Sequence, residues 1–281
     1  MNKTKALISA ALLAAILQPV SAFSHSLYIQ SGRYTVPKGK ISPMFFCFGH
    51  HFPVDDGVRG KKLRAITVIA PDGTEKNIEI RNERTLHSYE VKYDQPGTYV
   101  LTAETNPGLF AMYIDQKGRS RHTFKPKHTW IDKAEKVQSS MRSSQWAKSY
   151  VVCDTPSENF PASVGLAFEL VPATPIAELK EGDTLEFQAY LDGAPYTGEG
   201  IWDATYGGFS SEAEDMFVPR TKITGGKFAV SLDHGGRWFV RFFTKTEAAK
   251  ENQEKFLTEK RTATVAFMVR NERKHPKPAE H

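Results

Sequence analysis

Leu63-Arg64-Ala65-Ile66-Thr67-Val68-Ile69-Ala70-Pro71-Asp72-Gly73-Thr74-Glu75-Lys76-Asn77-Ile78-Glu79-Ile80 decides the fold class. Two short apolar-rich runs flank Pro71-Asp72-Gly73, a turn in which the glycine supplies positive φ. The same punctuation recurs at Asp94-Gln95-Pro96-Gly97, before Thr98-Tyr99-Val100-Leu101. Working outward, this rhythm of short apolar segments and turns predicts strands over 26–30, 41–48, 63–70, 76–80, 86–92, 97–104 and 110–115 in the first half. It resumes at 149–153, 164–171, 184–191, 200–206, 226–232, 235–244 and 261–269.

Two stretches break the rhythm. Ile131, Ala134, Val137 and Met141 recur at helical spacing, predicting a linking helix over 131–148. The Glu-, Ala- and Lys-rich segment 246–260 reads as a short inserted helix. The expected fold is mainly β: two immunoglobulin-like β-sandwich domains, 23–130 and 149–270, with short helical insertions. A single larger β-domain with helical insertions is the alternative. The polar tail 271–281, with two prolines, reads as disordered.

The chain has 281 residues, 40% of them hydrophobic and 25% charged, an ordinary globular composition that suits two domains. Lys3 and Lys5 precede an apolar stretch from Ala6 to Leu17, then Gln18-Pro19 and the small residues Ser21, Ala22 and Ser24. This three-part layout reads as a secretory signal over 1–22, with cleavage after Ala22 or after Ser24. It leads to the expectation of a periplasmic protein. The apolar stretch is shorter than the roughly 20 residues a membrane helix needs, so no span is expected in the mature chain. The net charge of +5 includes Lys3 and Lys5. Apart from short runs such as Arg59-Gly60-Lys61-Lys62 and the tail, the remaining cations are scattered among acids. No concentrated basic face of the kind nucleic-acid binding requires is evident.

Export places Cys47 and Cys153 where an even count favours a disulfide. Buried free thiols and thiolate metal ligands are the alternatives.

Four of the nine histidines, His25, His50, His51 and His87, lie early in the mature chain. A neutral imidazole nitrogen suits nickel, cobalt, copper and zinc. Cleavage after Ala22 leaves Phe23-Ser24-His25, whose amine, two amides and ring nitrogen can wrap a square-planar Cu²⁺ or Ni²⁺ ion. Cleavage after Ser24 makes His25 the terminus, so that its amine and ring chelate together. A solvated His25 preceding the first strand is the plain alternative. His50 and His51 are adjacent, and on a regular strand they would face opposite ways. Gly49 and Pro53 end the strand there, so one of the two can aim at a site while the other orients it or faces water. His87 sits in an expected strand and can face a neighbouring one. His122 and His128 lie in a basic segment, and His275 and His281 in the tail. No His-Glu-x-x-His, Cys-x-x-Cys, Gly-x-Ser-x-Gly or phosphate-loop motif occurs, and Asp55-Asp56-Gly57 reads as a turn. The expectation is a binding protein and not an enzyme.

Several phrases together resemble a known family. They are His25-Ser26-Leu27-Tyr28-Ile29-Gln30, Phe45-Phe46-Cys47-Phe48-Gly49-His50-His51-Phe52-Pro53-Val54-Asp55-Asp56-Gly57, Leu86-His87-Ser88-Tyr89 and Gly97-Thr98-Tyr99-Val100-Leu101-Thr102-Ala103-Glu104-Thr105. They are similar to periplasmic proteins associated with energy-coupling-factor nickel and cobalt uptake systems, the nickel uptake transporter family proteins. Leu185 to Gly193 and Gly236-Arg237-Trp238-Phe239-Val240 resemble that family's C-terminal sandwich. One departure is that Phe23 and Ser24 precede the first histidine if the signal ends at Ala22. The resemblance implies an accessory protein that binds Ni²⁺ or Co²⁺ as cargo and passes it to membrane transporter subunits; the imidazole and amine donors by themselves also suit Cu²⁺. His25, His50, His51 and His87 are the implied ligands. The rival readings are a copper monooxygenase-like enzyme, and an interaction module in which the histidines are incidental.

Overall fold

In Ser88–Tyr93, Tyr89, Val91 and Tyr93 are buried while Ser88, Glu90 and Lys92 face water, the alternation of a strand with one face on a core. A computed structural model describes residues 25–210 and 216–270. The expected signal and the tail lie outside the described residues.

The strands, in chain order, begin with β1 (Ser26–Ser31), β2 (Thr35–Val36), β3 (Lys40–Gly49), β4 (Leu63–Ile69), β5 (Glu75–Asn77), β6 (Ser88–Tyr93), β7 (Gly97–Thr105), β8 (Gly108–Asp115) and β9 (Ser120–Thr123). A long β10 (Ala134–Cys153) follows. Then come β11 (Phe168–Pro172), β12 (Thr184–Leu191), β13 (Ala194–Pro195), β14 (Glu199–Tyr206), β15 (Val218–Thr224), β16 (Lys227–Ser231), β17 (Gly236–Glu247) and β18 (Thr258–Val269). The fold is mainly β, as the turn rhythm predicts.

Two hydrophobic cores result. In the first, Leu27, Ile29, Met44, Phe46 and Val91 from the sheet β1-β3-β6 meet Ile66, Val68, Leu101 and Val151 from β4, β7 and β10. In the second, Phe168, Leu170, Leu185 and Phe187 from β11 and β12 meet Trp238, Val240, Val265 and Phe267 from β17 and β18. Aromatic rings reinforce this second core: Trp202 stacks on Phe228 at 4.6 Å, and Phe228 on Phe187 at 5.6 Å. Such pairs contribute about 0.5–1.5 kcal/mol each beyond the area they bury.

The linker differs from expectation. Residues 134–153 form β10, not a helix, and β10 runs antiparallel to β7 and β8 on one side and parallel to β18 on the other. One continuous sheet therefore backs both cores. The misleading spacing has a physical cause. Register shifts between Ala134 and Lys136, and between Val137 and Ser139, each insert an extra residue. They reset the two-residue alternation, so Ala134 and Val137, three apart, both pack beside Tyr113 and Trp130. Lys148 on β10 ties the halves together, with its Nζ 2.5 Å from Glu169 Oε1 on β11, both side chains buried. Glu169 also accepts from the backbone N–H groups of Val164 and Gly165.

The second expected helix is likewise absent. β17 continues to Glu247, a single 3-10 turn covers Lys250–Asn252, and β18 begins at Thr258. Pairing over the full length of β17 and β18 outweighs the helix propensity of Glu, Ala and Lys. Cys47 and Cys153 are buried and free, which corrects the expected disulfide. Cys47 packs with Tyr28, Phe52 and Phe239, whereas Cys153 belongs to the first core, so the two thiols sit in different clusters.

Candidate functional site

β1 is buried along its whole length, because both halves of the molecule grip it. Leu27 and Ile29 enter the first core, while Tyr28 lies against Phe239 of β17. Thr264 Oγ1 donates to Leu27 O at 2.7 Å, and Arg241, itself paired with buried Asp203, donates to Ser26 Oγ at 2.9 Å. At the start of the strand, Gln145 of β10 acts as a two-handed clamp. Its Oε1 accepts from Leu27 N at 2.7 Å and its Nε2 donates to His25 O at 2.9 Å.

The β1–β3 register places the first two histidines. Ser26 pairs with Gly49 and Leu27 with Phe48. The next step of that antiparallel ladder sets His25 beside His50. Their ring centroids lie 4.6 Å apart at an interplanar angle of 76°, and His25 also meets the edge of Phe48 at 5.3 Å. Partial desolvation of the His25 ring and the nearby Lys62 ammonium lower its pKa, against the opposing pull of Asp55 and Asp56. A lowered pKa keeps the imidazole neutral at neutral pH, the form that binds metals.

The loop after β3 is organised around one carboxylate. Asp55 Oδ2 accepts from His50 N at 2.5 Å and His51 N at 2.7 Å, while Oδ1 accepts from Asp56 N at 2.7 Å. Burial by itself would raise the Asp55 pKa, but the N–H groups of His51, Asp56 and His50 and the neighbouring His51 ring hold it below the usual carboxylate range. Gly49 makes room for this: a Cβ there would lie 1.9 Å from Asp55 Oδ2. Tyr28 Oη donates to His51 O and Gln30 Nε2 to Pro53 O, fastening the loop to β1.

The four expected ligands therefore separate. His25 and His50 meet. His51 turns its Nδ1 to Asp55 Oδ2 at 3.2 Å and so belongs to the loop's own scaffold. His87 does not join them: it is 2% exposed, its Nε2 bonds Val58 O at 2.9 Å and its Nδ1 bonds Tyr89 Oη at 3.2 Å. With both ring nitrogens engaged, His87 is a core histidine, which corrects its place in the expected set. Among the described residues, no three His, Cys, Asp or Glu side chains converge as a metal site. Chemically, the pair brings two imidazole rings together. Sequence reading missed Asp55 and Gln145. Asp55 had a local signal, a carboxylate five residues beyond a Gly-His pair; Gln145, 120 positions from His25, had none.

Beside His25 opens an apolar cleft of about 450 Å³, walled by Phe48, Leu109, Phe110, Met112 and Met141, with Phe124 at its rim 69% exposed. Lys62 Nζ stands 4.2 Å from the centre of the Phe48 ring. Among the described residues, no helix is long and apolar enough to cross a membrane.

Comparison with known proteins gives distant structural likenesses. The chain is similar to a biofilm associated protein BSP domain at 8% identity and a TM-score of 0.21, covering 88% of this chain and 30% of that one. It is also similar to Escherichia coli alpha-2-macroglobulin activated by porcine elastase, at 13% identity and a TM-score of 0.23, covering 88% and 20%. A DUF4785 family protein from Legionella pneumophila matches at 6% identity and a TM-score of 0.21, covering 76% and 50%. The chain thus spans half or less of the length of each of these structures. No curated protein matches it in sequence. One family model matches residues 22–246, a stretch that takes in all four early histidines and most of the strands around both cores, and the chain belongs to that family, described as Domain of unknown function (DUF4198).

Proposed function

We propose that this protein is a periplasmic metal-binding accessory of a nickel or cobalt uptake system, carrying the ion to an energy-coupling-factor type membrane transporter. The observation that carries the reading is the His25–His50 pair, 4.6 Å between ring centroids, brought together by strand register and held by Gln145 and Asp55. Two imidazoles on adjoining strand ends, joined by the terminal amine of a chain cut after Ser24, make a three-nitrogen donor set. Such a set suits Ni²⁺, Co²⁺ or Cu²⁺ in geometries with open positions. Open positions suit a carrier, because cargo has to be released to a recipient. Delivery to a transporter rests on the resemblance of the histidine-bearing phrases to the nickel and cobalt uptake proteins.

Calorimetric titration of correctly processed protein with Ni²⁺, Co²⁺, Cu²⁺ and Zn²⁺ tests the reading. Removing one of two imidazoles in His25→Ala or His50→Ala lowers affinity about tenfold or more, an effect of at least ~1.4 kcal/mol. His87→Gln leaves affinity unchanged in the fraction that folds. Binding that is unaltered in both His25→Ala and His50→Ala refutes the proposed ligands. Because ligands bind deprotonated, affinity falls as pH drops below about 6.

A further inference from the structure

The histidine pair adjoins an apolar cleft, and His25 belongs to both. Two imidazoles do not complete the coordination of a divalent transition metal, and among the described residues no group of three His, Cys, Asp or Glu side chains gathers there. The wall that carries His25 also opens onto the cleft of about 450 Å³, a size within the roughly 300–1,000 Å³ of small-molecule sites. The cleft has the composition of such sites: mostly apolar, with a few polar groups. Phe110 and Phe124 offer ring faces, 5.8 Å apart between centroids. Met112 and Met141 offer polarisable sulfur against whatever ring enters. Lys62 places a cation at the end nearest His25, and Ser143, on the β10 wall, carries a buried hydroxyl oxygen without a hydrogen-bond partner. Phe124 is the most exposed of the large hydrophobic side chains among the described residues, and it sits at the rim.

We infer that the ion is taken up as a chelate: a metal already held by a small organic carboxylate ligand whose apolar body fills this cleft. This rests on the metal-binding reading above. The chelator supplies donors beyond the two imidazoles. Its carboxylates face Lys62, and its apolar part is buried against Phe48, Phe110 and Met112. His25 and His50 take the coordination positions the chelator leaves open, displacing water from them. The combination explains why a cation and a lipophilic wall flank a pair of imidazoles, an arrangement that a bare hydrated ion does not use.

The test compares two nickel complexes that differ only in the apolar group, nickel iminodiacetate and nickel N-benzyliminodiacetate, titrated into processed protein alongside Ni²⁺ alone. The benzyl complex is expected to bind about tenfold or more tighter, as burial of a phenyl ring allows. Met112→Glu, or Leu109→Glu should the first variant fail to fold, removes that preference, so that the two complexes bind alike. Equal affinity for the two complexes overturns the chelate inference and leaves the metal reading standing. Metal-free N-benzyliminodiacetate binding as tightly as its nickel complex overturns it too, since the cleft then acts without the ion. No binding of either complex or of Ni²⁺ overturns the metal reading, and this inference with it.

Discussion

Gly49→Ala and Asp55→Ala together test how the histidine loop is built. A methyl at position 49 would stand 1.9 Å from Asp55 Oδ2 and 2.1 Å from its Cγ, so the carboxylate must leave its seat. Gly49 is not among the glycines with positive φ. The backbone therefore accepts alanine without strain, and any cost arises from the collision. Leaving the seat breaks three N–H contacts, from His50, His51 and Asp56. Hydrogen bonds to a charged acceptor contribute about 1.5–3 kcal/mol each, but three on one partly exposed group do not add, so either single variant should cost about 2–4 kcal/mol. In the Asp55→Ala background the collision with the carboxylate is gone, and a Cβ–Cβ contact of 2.8 Å remains. There, alanine at 49 should cost clearly less than it does in the parent protein. Denaturant midpoints for the four proteins, with nickel affinity as a second readout of His50 placement, complete the cycle. Additive losses would refute the reasoning, as would a Gly49→Ala protein as stable as the parent. The pH dependence has a definite sign. The folded-state pKa of Asp55 lies below its unfolded value, so its contribution is full above pH ~4 and is lost as pH falls through the folded value. Asp55→Asn should flatten that acid limb.

Gln145→Ala frees both the start of β1 and the backbone of His25. It should cost about 1–3 kcal/mol of stability and weaken nickel binding, measured by melting and calorimetry on the same preparation. Lys260 is buried 5% exposed beside Phe243, and burial, with Arg241, Lys245 and Arg220 nearby, lowers its pKa to about 7 against the pull of Asp203. The unfolded chain holds that proton more tightly, so stability should rise with pH from about 7 towards 10.5. Lys260→Met should stabilise the protein by about 1–4 kcal/mol near pH 6, with the gain shrinking as pH rises; an equal gain at pH 6 and 9.5 would contradict this. Cys47 and Cys153, both buried and free, should resist a thiol reagent until the protein unfolds, and a reductant should leave the unfolding midpoint unchanged.

Much of the site was legible because its signals are local. Gly49 and Pro53 mark the end of β3, whereas the β1–β3 register that pairs Ser26 with Gly49, and so sets His25 beside His50, is a property of the folded sheet. His87 was misread because its neighbours in sequence do not reveal Val58, 29 residues away, whose carbonyl takes its ring nitrogen. Its partner Tyr89 stood two positions along, but a hydroxyl in that place is equally compatible with an exposed edge.

By itself the sequence determined the mainly β class, most strand positions and the two histidine-bearing strand ends, since turn glycines, prolines and apolar alternation act over a few residues. Only the tertiary structure decided that residues 134–153 are a strand of the one sheet that backs both cores and not a helix. Two bulges there convert a period of two into a spacing that mimics a helical turn, and bulges are set by the partner strand. It likewise decided which histidines meet, that the cysteines stay apart, and that a lipophilic cleft opens beside His25. Each of those depends on which strands lie side by side, a non-local choice made by burial of the whole chain.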